Sequence, residues 1–234
     1  MKKKNTKIVV TGGTGRFAQS FKKIKSKYQF IFPTKKKLDI TKIQTIEKYL
    51  KQQKPFAVMH LAGLSRPMEA HVKEVGKSID LNIIGTANVV KICEKLNIKI
   101  IYMSTSYVYA GKKGNYKETD SVLPWNNYGW SKFGGECAVQ MCKNSLILRA
   151  CVTQEPFIHK KAFSNIKLNF IFHDQIVPLI VKLLDKKGVY NVGGEIQTVY
   201  NFAKKYNPDI KKIKSTTDFP PNPSVSVAKM KKII

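Results

Sequence analysis

The sequence predicts an α/β fold built on a doubly wound, mostly parallel sheet, and three observations predict it. Short apolar, β-branched runs at 7–11, 28–32, 55–63 and 100–105 alternate with stretches of helical spacing. The first run breaks at a glycine cluster that leads straight into a helix. The run starting at Ile100 ends in Ser104, Thr105 and Ser106, as a buried parallel strand does when it delivers hydroxyls to the carboxyl edge of a sheet, where open α/β folds bind ligands.

With 234 residues the chain is long enough for one large α/β domain and a small second lobe. No apolar run approaches the roughly 20 residues that cross a bilayer, and no signal peptide is visible, so no membrane association is expected. Cys93, Cys137, Cys142 and Cys151 include no Cys-x-x-Cys spacing and read as reduced, buried thiols of a cytoplasmic protein. The formal charge of +27 raises the question of a nucleic-acid partner. However, Arg16, Arg66 and Arg149 are the only arginines among the 42 Lys and Arg residues, and the lysines are scattered along the chain. Guanidinium is the usual group for bidentate phosphate and base contacts, so no specific nucleic acid is expected.

In order, Lys7-Ile-Val-Val-Thr-Gly-Gly-Thr-Gly-Arg-Phe-Ala18 reads as strand, tight turn and helix, the helix running over 17–27 with Phe17, Phe21 and Ile24 inward. Gly12 suits the turn, Gly15 lets the backbone approach a pyrophosphate, and Ala18 is the small residue needed where helix meets strand. Arg16 and Phe17 stand at the helix start, whose N–H groups and dipole favour phosphate. This is a Rossmann-type dinucleotide site. Tyr28-Gln-Phe-Ile-Phe reads as the second strand, and residues 30–37 contain no Asp or Glu to bind the ribose hydroxyls of NAD. Thr34, Lys35 and Arg16 suit a 2′-phosphate, so NADP(H) is favoured, with NAD(H) left open. Residues 41–53 form an amphipathic helix with Ile43, Ile46 and Leu50 inward, and 55–63 the next buried strand. Ala62 and Gly63 end that strand with little bulk, leaving room for a flat ligand, and His60 within it reads as a core histidine. After a loop over 64–74, residues 75–96 read as one long helix. Gly85 inside it costs about 1 kcal/mol relative to Ala, which points to a close crossing with a neighbour. Asn82, about one turn earlier, is placed to hold a backbone group or water near the site. Residues 111–127 form a polar, ligand-contacting loop.

Tyr128 and Lys132 are four apart in a helical stretch and so share a face. An unperturbed Tyr titrates near pKa ~10, and a neighbouring ammonium favours the phenolate, bringing Tyr128 toward the range useful for proton transfer. The expectation is a lowered Tyr128.

The chain resembles the extended short-chain dehydrogenase/reductase family, the NAD(P)-dependent sugar-nucleotide epimerases, dehydratases and reductases, and within it the dTDP-4-dehydrorhamnose reductases. The matching residues are Thr11-Gly-Gly-Thr-Gly15, Leu38-Asp-Ile, His60-Leu-Ala-Gly, Asn82-Ile-Ile-Gly-Thr, Ser104-Thr-Ser-Tyr-Val-Tyr, Tyr116-Lys-Glu-Thr-Asp120, Pro124-Trp-Asn-Asn-Tyr-Gly-Trp-Ser-Lys132 and Gly135-Glu136, in order across 7–150. The resemblance implies that Thr105, Tyr128 and Lys132 are catalytic, that Asp39 and Ile40 lie beside the adenine, that Leu61, Ala62 and Gly63 flank the cofactor, and that Lys132 also holds the nicotinamide ribose. It implies a Rossmann domain over 1–150 and, over 151–234, a small, reduced substrate lobe interleaved with the last elements of the sheet.

The reading is therefore an NAD(P)H-dependent reductase of a keto-deoxy nucleotide sugar. A nucleotide-sugar epimerase and a non-catalytic NADP(H)-binding regulatory relative are the alternatives, and a homodimer stays open. Ser106 stands where rhamnose-type reductases usually carry Asp. Ser106 and Tyr107 also replace the Asp-Glu pair of the family's dehydratases, so the acid and base that water elimination needs are missing.

Overall fold

The structure, a computed structural model, describes residues 6–216 and 219–234. Residues 1–5, part of the stretch read above for an export signal, lie outside the described residues. Six strands form the central sheet: β1 (Lys7–Thr11), β2 (Gln29–Ile31), β3 (Ala57–His60), β4 (Lys99–Thr105), β5 (Ser145–Ala150) and β6 (Gly188–Val192). Their order is β6-β5-β4-β3-β1-β2, and every pairing is parallel. The chain runs outward from β1 to β2 and then crosses to the other side of β1 for β3. The order thus reverses between β1 and β3, which opens a crevice at their carboxyl ends.

Side chains alternate across the strands, so each face of the sheet has its own core. Ile8 and Val10 face α1 (Arg16–Lys22), whereas Val9 faces α2 (Ile43–Gln53) and α3 (Gly85–Lys95). α4 (Asn127–Gln140) adds Val139 to the second face, and α5 (His173–Leu183) adds Ile176, Val177 and Ile180 to the first. Helices on both faces make the sheet doubly wound, as the alternating runs predict. Three two-stranded pairings and α6 (Val199–Lys204) lie outside the sheet, and Phe157, Ile166, Leu168, Phe172, Phe202 and Ile210 build a separate apolar cluster there.

Several boundaries differ from the sequence reading. α1 stops at Lys22 instead of 27, because Ser26 Oγ accepts from Tyr28 N at 2.9 Å and turns the chain toward β2. The long helix expected over 75–96 is helical throughout but widens to a π-helix over Ile79–Ile84. Such wide turns cluster at functional sites. Gly85 follows it, and a Cβ there would lie 2.8 Å from Ile40 Cδ1, the close crossing that its helical position predicts. Cys93, Cys142 and Cys151 are buried free thiols, but Cys137 is exposed because it lies on the outer side of α4, which corrects the expectation that all four pack inside. Among the described residues, no helix is long and apolar enough to cross a membrane.

Candidate active site

At the end of β1 the chain turns at once. Gly12 has a φ of +67°, and a Cβ there would lie 2.9 Å from the Ala62 Cα, so glycine alone meets both the backbone angle and the space. Gly15 N donates to Gly12 O at 2.8 Å to close the turn, and α1 begins at the next residue. N–H groups that begin a helix lack an intrahelical acceptor, and residues 12–18 form one wall of a cleft of about 550 Å³. Leu61, Ala62 and Gly63, following β3, face them. Lys35, Asp39 and Ile40 follow the edge strand β2, whereas Thr105 ends β4 on the far side of β1 and β3, and Tyr128 and Lys132 join it in the same wall.

The cleft thereby gathers Gly12, Gly15, Arg16, Phe17, Lys35, Asp39, Ile40, Leu61, Ala62, Gly63, Thr105, Tyr128 and Lys132. Thr34 is not in its wall. That residue is exposed, and its carbonyl accepts from Lys37 N and Leu38 N in a turn at 3.0 and 3.1 Å. Asn82 lies one layer behind the wall. Its Oδ1 accepts from Leu64 N at 2.7 Å, and its Nδ2 donates to Leu64 O at 2.9 Å and to Ser131 Oγ at 2.8 Å. Ser131 Oγ in turn donates to Tyr128 O at 2.9 Å. Asn82 thus ties the loop after β3 to the helical turn that carries Tyr128.

That turn is placed by two local features. Asn126 caps α4, its Oδ1 accepting from Gly129 N at 2.7 Å. A Cβ on Gly129 would lie 2.5 Å from Tyr107 O, so the missing side chain lets α4 press against the turn that follows β4. Tyr128 therefore reaches the Thr105 hydroxyl. The electrostatics correct the sequence expectation. Burial raises the Tyr128 phenol above its ordinary pKa, with the Thr105 hydroxyl and Arg66 pulling the other way. Lys132 is itself buried. Its ammonium sits over the Tyr102 ring, 4.2 Å from the centroid, and burial lowers its pKa to about 7 against the opposing pull of Glu136. At neutral pH Tyr128 is a protonated phenol, an acid with a proton to give.

Two buried networks hold this part of the cleft in place. Ala62 N donates to Thr11 Oγ1 at 3.1 Å, and Thr11 Oγ1 lies 2.7 Å from His60 Nδ1; His60 Nε2 lies 3.0 Å from Thr86 Oγ1, which donates to Asn82 O at 2.7 Å. The chain of donors fixes a neutral His60 with its proton on Nε2. Burial, with help from Lys132, lowers the His60 pKa to about 3. Behind β4, Glu136 is wholly buried and pairs with Arg149, Nη2 to Oε1 at 2.6 Å. Ser104 Oγ donates to the other Glu136 oxygen, and Arg149 Nη1 donates to Tyr109 OH at 2.7 Å.

Arg66, Gln154 and His173 also line the cleft, and sequence reasoning missed all three as site residues. Arg16 Nη1 donates to Gln154 Oε1 across a separation of 138 residues, and the Phe17 ring lies tilted against His173 with the ring centroids 4.9 Å apart. No local pattern marks residues so distant in the chain.

Comparison with known proteins agrees with this geometry. The profile of the RmlD substrate binding domain matches residues 6–169. The chain belongs to the RmlD substrate binding domain family. Among curated relatives of this RmlD-family chain, a dTDP-4-dehydrorhamnose reductase of Aggregatibacter actinomycetemcomitans is 29% identical over 152 residues, 63% of this chain and 51% of that protein. A methionine adenosyltransferase 2 subunit beta of Xenopus tropicalis is 25% identical over 275 residues, 97% of this chain and 82% of that protein. Apart from the Xenopus tropicalis match, the chain spans about half the length of the curated relatives it matches first. The crystal structure of dTDP-4-dehydrorhamnose reductase from Bacillus anthracis in complex with NADP superposes with a TM-score of 0.85 at 19% identity, covering 99% of this chain and 93% of that one. At that identity the likeness speaks for the Rossmann-type fold.

Proposed function

We propose that this RmlD-family protein is an NAD(P)H-dependent reductase of a keto-deoxy nucleotide sugar, similar in activity to dTDP-4-dehydrorhamnose reductase. The observation that carries the reading is the convergence of Thr105, Tyr128 and Lys132 in one cleft with the Gly12–Gly15 turn and Lys35. The glycine turn fits a dinucleotide: a Cβ on Gly15 would lie 3.1 Å from Gly12 O and would project from a wall that a pyrophosphate needs bare. The relative crystallised with NADP supports the cofactor choice, as do Arg16 and Lys35 in the cleft wall, which suit a 2′-phosphate. NAD(H) is the weaker candidate. Asp39 and Ile40 would flank the adenine, and Leu61, Ala62 and Gly63 the flat rings.

A nicotinamide cofactor supplies the hydride when bound. Tyr128 donates its proton to the ketone oxygen, Thr105 hydrogen-bonds the same oxygen, and Lys132 orients the ribose. A phenol kept protonated by burial suits reduction, in which the protein gives a proton. Asn82 positions Tyr128 through Ser131. Residues 1–150 form the cofactor-binding part and 151–234 the reduced substrate lobe, with α5 and β6 returning to the sheet. The free cysteines support a cytoplasmic setting. Exposed Ile79, Ile84 and Trp130, on adjoining helices, support a homodimer.

The likeness to methionine adenosyltransferase 2 subunit beta favours a second reading, a regulatory chain that holds NADP(H) without turnover. Incubation with NADPH and a 4-keto-6-deoxy nucleotide sugar separates the readings. One NADPH lost per sugar reduced supports the reductase, interconversion of two epimers without net loss assigns an epimerase, and NADPH binding with no turnover on any sugar of a UDP- and dTDP-linked panel assigns the regulatory chain.

A further inference from the structure

Each arginine in this lysine-dominated chain occupies a special place. Arg149 is locked in the buried pair with Glu136, and Arg16 opens α1 at the glycine turn. Arg66 stands on the loop after β3, exposed, in the wall of the cleft that also holds Tyr107, Tyr128, Phe170 and His173. Among the described residues it has no ion pair or hydrogen bond. The nearest acid along the chain, Glu69, is engaged with Lys73 at 3.2 Å. The one carboxylate in the cleft wall, Asp39, follows the edge strand β2 and is held by Thr41, with Oδ1 2.8 Å from the Thr41 hydroxyl.

Resting on the reductase reading, we propose that Arg66 is a specificity residue that binds an oxyanion of the substrate, phosphate or carboxylate, in the cleft where Tyr128 protonates the carbonyl. Guanidinium presents a planar fork of donors matched to such groups, and an unpaired one at a cleft wall has that capacity to spare. Arg66 lines the same cleft as Thr105, Tyr107, Tyr128 and His173, and its positive charge opposes the burial that raises the Tyr107 and Tyr128 phenols. The cofactor's pyrophosphate has its own site at residues 12–16, so the anion Arg66 meets comes from the substrate. Two sources share this chemistry: the diphosphate of the nucleotide sugar and a carboxylate on the sugar ring.

The test is calorimetric titration of UDP, dTDP, D-glucuronate and neutral D-glucose into NADP⁺-loaded wild type, Arg66→Gln and Arg66→Lys. A charge-assisted hydrogen-bonded contact predicts a loss of roughly 10- to 100-fold for Arg66→Gln, with partial rescue by lysine. NADP⁺ affinity should be the same in all three proteins. Weakened UDP or dTDP binding identifies the diphosphate, and weakened glucuronate binding the ring carboxylate, with glucose unaffected in either case. No anion binding to the loaded wild type, equal anion binding by wild type and Arg66→Gln, or loss of NADP⁺ affinity in Arg66→Gln would each overturn the proposal. Failure of the wild type to bind either NADP⁺ or NAD⁺ would instead defeat the reductase reading on which it rests.

Discussion

Replacing Glu136 by Gln removes one charge from the middle of the protein while preserving shape. Glu136 is fully buried, and its carboxylate accepts from Arg149 Nη2 at 2.6 Å, Arg149 Nε at 3.1 Å and Ser104 Oγ. The neutral amide keeps an oxygen for one of these donors and leaves the guanidinium, itself 4% exposed, without a counter-charge. Removing one partner of such a pair typically costs about 3–5 kcal/mol, against a total stability on the order of 5–15 kcal/mol. At roughly 2–4 °C per kcal/mol for a chain of this size, the melting temperature should fall by roughly 6–20 °C. Urea unfolding gives the free energy and calorimetry the temperature. The double variant Glu136→Gln/Arg149→Met should recover part of the loss, because the stranded charge is gone. A drop below about 1 kcal/mol in Glu136→Gln would refute the reasoning, since the pair would then behave as a solvated one.

Lys35→Glu should weaken NADPH relative to NADH, measured by fluorescence titration of both cofactors; an unchanged preference would remove Lys35 from the 2′-phosphate site. His60 has a folded pKa of about 3 against 6.5 ordinarily, so it binds a proton less readily in the folded state than in the unfolded one. Its contribution to stability is complete above pH 6.5 and is lost as pH falls toward 3. The variant His60→Gln, which does not titrate, should lose stability less steeply over that window in urea unfolding, and an equal slope would contradict the neutral assignment. In the native protein, a thiol reagent should modify Cys137 rapidly and Cys93, Cys142 and Cys151 only after denaturation; several fast thiols would show that the core opens readily.

Local patterns carried most of the fold. The turn at Gly12 and Gly15 and the four-residue spacing of Tyr128 and Lys132 are short-range features, so the sequence displays them directly. The alternation of Ile8, Val9 and Val10 between two cores is equally visible, because parallel strands buried on both faces read as unbroken apolar runs. What stayed hidden depends on the third dimension. The placement of Gln154 and His173 against Arg16 and Phe17 needs the chain to return across more than half its length. The π-helix over Ile79–Ile84 has no distinct residue pattern, so Asn82 was recognisable as a polar residue near the site but not as the brace between Leu64 and Ser131. The direction of the Tyr128 shift was misread because spacing reveals a neighbouring charge and says nothing of burial. The same burial that raises the phenol also lowers the Lys132 ammonium to about 7, which works against the very interaction expected to dominate.

The central claim is that Tyr128 protonates a ketone while a nicotinamide in the same cleft reduces it. It is tested most directly by following NADPH absorbance in the presence of a 4-keto-6-deoxy nucleotide sugar, with wild-type protein and with Tyr128→Phe. The account predicts stoichiometric NADPH loss with wild type, turnover lower by about 10²–10⁴-fold with Tyr128→Phe, and little change in NADPH affinity. NADPH oxidation by Tyr128→Phe at close to the wild-type rate would contradict it.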